Sequence, residues 1–234
     1  MQLARRLLAE ALGTAFLLAV VVGSGIMAER LSGGNVAIAL LANAVATGAG
    51  LLALILTFAT VSGAHFNPVV SMAMWLRREM TARDAAAYAL AQTIGAILGV
   101  AAAHGMFDLP LFSISHHQRI GLSQAWSECV ATYGLILVII GSARFSKSST
   151  PGAVAAYIMS AYWFTASTSF ANPAVAIARE LTDTFAGIAP DGVPAFIAAE
   201  LLGSLAAVLS ARLLFPAHLE RLEIGGGVGK RGSA

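Results

Sequence analysis

The chain has 234 residues, of which 58% are hydrophobic and 11% charged, with a formal net charge of +2 and a positive mean hydropathy. A soluble domain carries about 25% charged residues, so this composition points to an integral membrane protein, and so small and dispersed a charge argues against nucleic-acid binding. The single cysteine, Cys129, can form neither an internal disulfide nor a metal cluster, and reads as a small packing residue in a helix.

The N-terminal stretch MQLARRLLAEALGTAFLLAVVVG starts like a secretory signal. Its apolar run, residues 7–27, is long enough to span at roughly 20 residues, and it carries Glu10, which has a counterpart later in the chain. It is read as the first membrane helix. Five further spans are predicted at 36–60, 84–106, 122–143, 152–170 and 194–215. Two apolar segments are too short to cross: 67–76, between the second and third spans, and 172–185, between the fifth and sixth. With the N-terminus inside, eleven Lys and Arg fall on the inner side; only Arg30, Arg119 and Arg179 fall outside. That bias places both termini in the cytoplasm. The tail GGGVGKRGSA reads as a flexible end and lacks the Lys-Ser/Thr pair of a phosphate loop.

The chain repeats itself. AEALGT at 9–14 is echoed by SECVAT at 127–132, FNPV at 66–69 by ANPA at 171–174, and AQTIGA at 91–96 by AELLGS at 199–204. The order is the same in both halves, about 1–120 and 121–216, with 217–234 as a tail. Three spans per half is an odd number, so the halves lie upside down relative to each other within one domain. An inverted repeat with a broken helix in each half locates a pore or binding site at the midplane.

Asn-Pro occurs at Asn67-Pro68 and again at Asn172-Pro173. Asn is a preferred helix N-cap and Pro suits the first helical position, so each pair starts a short helix at the bottom of a re-entrant loop. Such backbone survives at membrane depth only when protein buries it or it lines a water-filled cavity. Each helix start carries about half a positive charge, and two facing one point repel cations. The side-chain NH2 groups of both asparagines are expected to donate to the oxygen of a passing molecule.

These paired Asn-Pro-Ala-type motifs, the six spans and the repeated Ala-Glu near the helix starts resemble the aquaporin, or major intrinsic protein, family over nearly the whole chain. The resemblance implies an all-α membrane protein, a bundle of six transmembrane helices and two re-entrant half-helices. It also implies a homotetramer with one pore per subunit, in a bacterial inner membrane, with the lipid bilayer and small neutral solutes as its partners. Neither a cofactor, a metal, a catalytic residue nor a nucleic-acid partner is expected. The motif residues are Asn67, Pro68, Val69, Asn172, Pro173 and Ala174, Val69 standing where the family usually has alanine.

Most members carry an arginine directly after the second motif; here that position is Val175. Ungapped counting from the two asparagines places the other constriction residues at Thr47, Ser160 and Ser169. Exchanging a guanidinium for an isopropyl group removes five donors and much bulk, and hydroxyls both donate and accept. The pore is therefore expected to admit water, glycerol and neutral trivalent arsenicals such as arsenous acid. Bacterial relatives with this valine are associated with arsenical resistance. Arg179, one turn beyond Val175, either reaches back toward the outer mouth or lies exposed and pairs with Asp183 or Glu180. The tendency of long charged side chains to seek water favours the exposed arrangement.

Glu10 and Glu128 are carboxylates inside apolar helices and so functional suspects. Coupling groups of a secondary transporter is one reading; the favoured one makes each a structural acceptor for backbone N–H groups of its re-entrant loop. An ordinary water-selective channel is the other alternative. His65 resembles the family's pore-lining histidine, presenting a backbone carbonyl. His116 and His117 lack a third ligand and read as solvated. Gly95 and Gly99 form a small-xxx-small pair that permits close helix contact.

Overall fold

Residues 2–216 are described in the structure, a computed structural model; the expected tail, with Arg221, Lys230 and Arg231, lies outside them. The described chain is all-helical: α1 (Leu3–Leu31), α2 (Val36–Ser62), α3 (Pro68–Leu76), α4 (Ala82–Met106), α5 (Leu122–Phe145), α6 (Thr150–Phe164), α7 (Pro173–Arg179) and α8 (Val193–Leu214). Local chemistry sets several boundaries. Asn35 Oδ1 accepts from the N–H groups of Ala37 and Ile38 and starts α2, and Gly63, at φ 93°, ends it. Thr81 caps α4 through the N–H of Asp84. The two Asn-Pro pairs start α3 and α7, each Asn side chain accepting from the first free N–H groups of its helix.

Polarity is arranged inside out. Leu8, Phe16, Leu56, Leu90, Leu98, Leu202 and Leu213 face outward, while Glu10, Thr14, Gln92, Glu128, Thr132 and Glu200 are fully buried. In water the exposed leucines would be costly; in lipid they are the favoured surface. Five helices, α1, α2, α4, α5 and α8, are long and apolar enough to cross a membrane.

The fifth expected span, 152–170, is shorter than predicted. α6 has 15 residues, about 22 Å at 1.5 Å per residue, and stops at Phe164, where Thr165 turns extended and the re-entrant segment begins. The second short helix is likewise shorter, ending at Arg179 rather than running to 185.

Helix α1 packs on α2 and α4, α5 on α6 and α8, and α6 on α2, while α3 and α7 touch each other and both rest on α4 and α8. The tight crossings occur at glycines. A side chain on Gly95 would collide with the Ala11 carbonyl, and one on Gly99 with the Ala15 carbonyl; Gly203 sits in the same way on the Cys129 carbonyl. Gly95 and Gly203 occupy matching places in AQTIGA and AELLGS, as do Ala11 and Cys129 in AEALGT and SECVAT. The α1–α4 and α5–α8 crossings thus use the same contact.

One connection braces the end of α7. The segment after α4 runs across it, with Ser113 N–H donating to Leu181 O at 3.0 Å and Ser115 N–H to Glu180 O at 2.9 Å. Beneath it the buried His104 ring bridges Pro110 O and Thr182 Oγ1, both at 2.7 Å.

Candidate functional site: a conduit between two half-helices

The two re-entrant loops have the same backbone conformation. Ala64 and Phe66, three and one residues before Asn67, have φ of 51° and 50°; Ser169 and Ala171, equally placed before Asn172, have 53° and 48°. Non-glycine residues seldom adopt this left-handed region, and such strain persists only where the surroundings enforce it. Here the enforcement comes from the buried carboxylates. Glu10 accepts the N–H of His65 at 3.0 Å and of Phe66 at 2.7 Å. Glu128 accepts those of Phe170 at 2.9 Å and Ala171 at 2.6 Å, the matching positions of the other loop. Both glutamates therefore hold loop backbone. Glu10 also accepts from Ser62 Oγ at 2.6 Å and Gln92 Nε2 at 2.7 Å, whereas in the second half Glu200 accepts the N–H of Asn172 at 2.8 Å.

With the N–H groups drawn into the protein, the carbonyls are left over. No described donor reaches the carbonyls of Ala64, His65, Ser169 or Phe170. All four residues border a cavity of about 190 Å³ lined from both halves of the chain. Asn67 and Asn172 border it as well. Their side chains do more than the sequence implies. Asn67 Nδ2 donates to Ala171 O at 2.7 Å, and Asn172 Nδ2 donates to Phe66 O at 2.8 Å. Each NH2 group thus uses one hydrogen to tie the opposite loop and retains one for a molecule in the conduit. Pro68, Pro173 and Ala174 belong to the helix starts, and Val69 is fully buried, its carbonyl accepting from Ser204 Oγ at 3.1 Å.

Of the expected constriction residues, Thr47, Ser169 and Val175 border the cavity together. Thr47 Oγ1 accepts from Tyr162 Oη at 3.2 Å, and Ser169 Oγ is buried without a hydrogen-bond partner. Ser160 is not with them. It is exposed, its Oγ donates to Tyr157 O at 2.7 Å, and the face of α6 turned to the cavity carries Val154, Ile158 and Tyr162. The four-residue spacing of those three, apolar or aromatic throughout, was a readable signal for that face. Ungapped counting from Asn172 falls two positions before Tyr162, the α6 residue that reaches Thr47 beside the cavity.

The exposed arrangement of Arg179 is also corrected. Arg179 is 2% exposed and borders the cavity. Its Nε donates to the Ala186 carbonyl, and its guanidinium lies over the Phe170 ring, 3.4 Å from the centroid. Asp183 pairs instead with His116, at 3.1 Å. His65 also borders the cavity, its Nδ1 3.0 Å from Ser71 Oγ. Among the described residues no group of three His, Cys, Asp or Glu is placed to hold a metal.

A membrane helical bundle with two half-helices whose starts border one cavity defines a channel-type fold. The chain belongs to the major intrinsic protein family, whose model matches residues 1–169. It is 53% identical over 217 residues to the aquaglyceroporin AqpS of Rhizobium meliloti, covering 92% of this chain and 93% of that one. It is 32% identical over 142 residues to the glycerol uptake facilitator protein-like 6 of Lactiplantibacillus plantarum, covering 58% and 62%. The X-ray structure of the aquaglyceroporin from Plasmodium falciparum superposes with a TM-score of 0.70 at 21% identity, over 94% of this chain and 100% of that one, and shows the same fold.

Proposed function

We propose that the protein is a passive channel for small uncharged polar solutes: water, glycerol and neutral trivalent arsenicals such as arsenous acid. The observation that carries this reading is the composition of the conduit wall. One arm offers loop carbonyls that accept, and the meeting point offers two asparagine N–H groups that donate. The constriction offers the hydroxyls of Thr47 and Ser169 against the aliphatic face of Val175. A neutral molecule with both O–H and lone pairs exchanges its water shell for these groups, whereas an ion meets a low-dielectric wall and two helix N-termini. Valine at the position after the second motif supports the larger solutes, because it leaves room that an arginine there would occupy. The likeness to two proteins described as an aquaglyceroporin and a glycerol uptake facilitator supports glycerol among them.

A transporter coupled through Glu10 or Glu128 has less support, since the oxygens of both already accept from loop N–H groups. The matching contacts of the two halves support a single domain of two inverted repeats. The charge asymmetry supports cytoplasmic termini, and the family supports a homotetramer in the inner membrane.

Stopped-flow light scattering on proteoliposomes tests the reading. Shrinkage should be faster than in protein-free vesicles, and should be followed by reswelling when glycerol or arsenous acid is the osmolyte. Water flux with neither solute admitted would reject the wide-pore assignment. Uptake that requires a proton or sodium gradient would reject a passive channel.

A further inference from the structure

We propose that Arg179 supplies the guanidinium of the constriction, delivered from one helical turn beyond the position where Val175 stands. The channel is then wide beside Val175 but not free of positive charge. This inference rests on the channel reading and refines its selectivity.

Three observations carry it. First, placement: side chains on a helix slant toward its N-terminus and cover the preceding turn. Arg179 stands one turn beyond Val175, and the two border the same cavity with Thr47, Ser169 and Phe170. Second, rigidity: Nε is held by the Ala186 carbonyl and the guanidinium plane by the Phe170 face, a cation–π contact that fixes orientation as well as position. Phe170 is itself positioned by Glu128 through its N–H. Third, unused capacity: no described residue hydrogen-bonds to either terminal nitrogen of Arg179. No described carboxylate lies within ion-pair distance either, since the ion pairs are Arg6–Asp84, Arg77–Glu79 and His116–Asp183. A buried, immobilised guanidinium with unpartnered donors beside a conduit is built to meet something passing through it. Its donors suit a solute oxygen, and its charge opposes hydronium and metal cations.

The test compares parent, Arg179→Gln, Arg179→Lys, Val175→Arg and the double variant Val175→Arg/Arg179→Gln in proteoliposomes. Water and glycerol fluxes are followed by light scattering, and proton flux by an entrapped pH dye under a potassium diffusion potential. Arg179→Gln should raise proton flux per unit water flux about tenfold, and Arg179→Lys should keep that ratio near the parent. Val175→Arg should lower water and glycerol flux together, because two guanidiniums then crowd one constriction, and removing Arg179 from that background should restore water but not glycerol. A merely structural Arg179 predicts reduced yield and all fluxes scaled down equally, with the proton-to-water ratio unchanged, and that result overturns the inference. So does Val175→Arg with full water flux and no further effect of Arg179→Gln. A parent that conducts neither water nor glycerol overturns the channel reading itself, and this inference with it; a conducting parent with insensitive Arg179 variants overturns this inference alone.

Discussion

Replacing Asn67 probes the centre of the molecule most directly, because its side chain makes two separable contacts. Oδ1 caps α3 by accepting the N–H of Val69 at 3.0 Å, and Nδ2 ties the opposite loop through Ala171 O at 2.7 Å. Loss of an N-cap costs about 0.5–2 kcal/mol, and an acceptor stranded in a buried site about 1–3 kcal/mol. Asn67→Ala should therefore lose about 1.5–5 kcal/mol. At roughly 2–4 °C per kcal/mol for a chain of this size, its melting temperature falls by about 3–20 °C. Asn67→Ser separates the two parts. The hydroxyl is a preferred cap but is too short to donate to Ala171. Its expected loss is about 1–3 kcal/mol, the share due to the tie. Thermal unfolding in detergent, read by intrinsic tryptophan fluorescence, measures all three proteins. An Asn67→Ser variant that melts with the parent would show that the tie contributes nothing. If Asn67→Ala also melts with the parent, the reading of this residue as a structural hub is wrong.

Gly95→Val should abolish monodisperse protein in size-exclusion chromatography, at a cost of about 3 kcal/mol or more, because the new side chain meets the Ala11 backbone; Gly203→Val should behave alike against Cys129, whereas Gly105→Ala, with open space around it, should elute normally. Glu200→Gln should stay within about 1 kcal/mol of the parent in the same melting assay. It keeps an acceptor for the N–H of Asn172 and reproduces the Glu10–Gln92 pairing of the first half. Glu128→Gln should cost about 1–3 kcal/mol, since an amide presents one oxygen to two loop N–H donors; equal melting of these two variants would refute the distinction. Asp183 accepts from the backbone and ring of His116, which holds its carboxyl below the usual aspartate value. A depressed folded value stabilises the folded state above the unfolded value of about 3.9 and loses that contribution as pH falls through the folded one. Carboxyl carbon NMR with labelled aspartate should show Asp183 titrating below the ordinary range in the parent and closer to it, though still below, in His116→Ala, which loses the ring contact but keeps the backbone N–H donor.

What the sequence disclosed was governed by local chemistry or strict spacing. Asn67-Pro68 and Asn172-Pro173 announce helix starts because capping needs only the residue and the N–H groups just after it. Gly95 and Gly99 announce a close crossing because four-residue spacing puts both on one face, and they meet Ala11 and Ala15. Arg179 was misjudged for a physical reason. The rule that long cations seek water holds unless a carbonyl and an aromatic face replace that water, and here Ala186 and Phe170 do so from irregular segments without periodicity. Ser160 was misplaced because ungapped counting assumes a fixed number of residues between that face of α6 and Asn172, whereas the residue that meets Thr47 is Tyr162, two positions on. The ties from Asn67 and Asn172 were unreadable for a related reason: each depends on a partner more than 100 residues away.

Those reciprocal ties have a consequence for how the polypeptide is made. As it leaves the ribosome, residues 1–120 are complete well before the acceptor at Ala171 and the donor at Asn172 have been synthesised. Until then the Phe66 carbonyl and the Asn67 amide lack these partners. Because its wall is drawn from both halves, the cavity can be completed only after the C-terminal portion has been made.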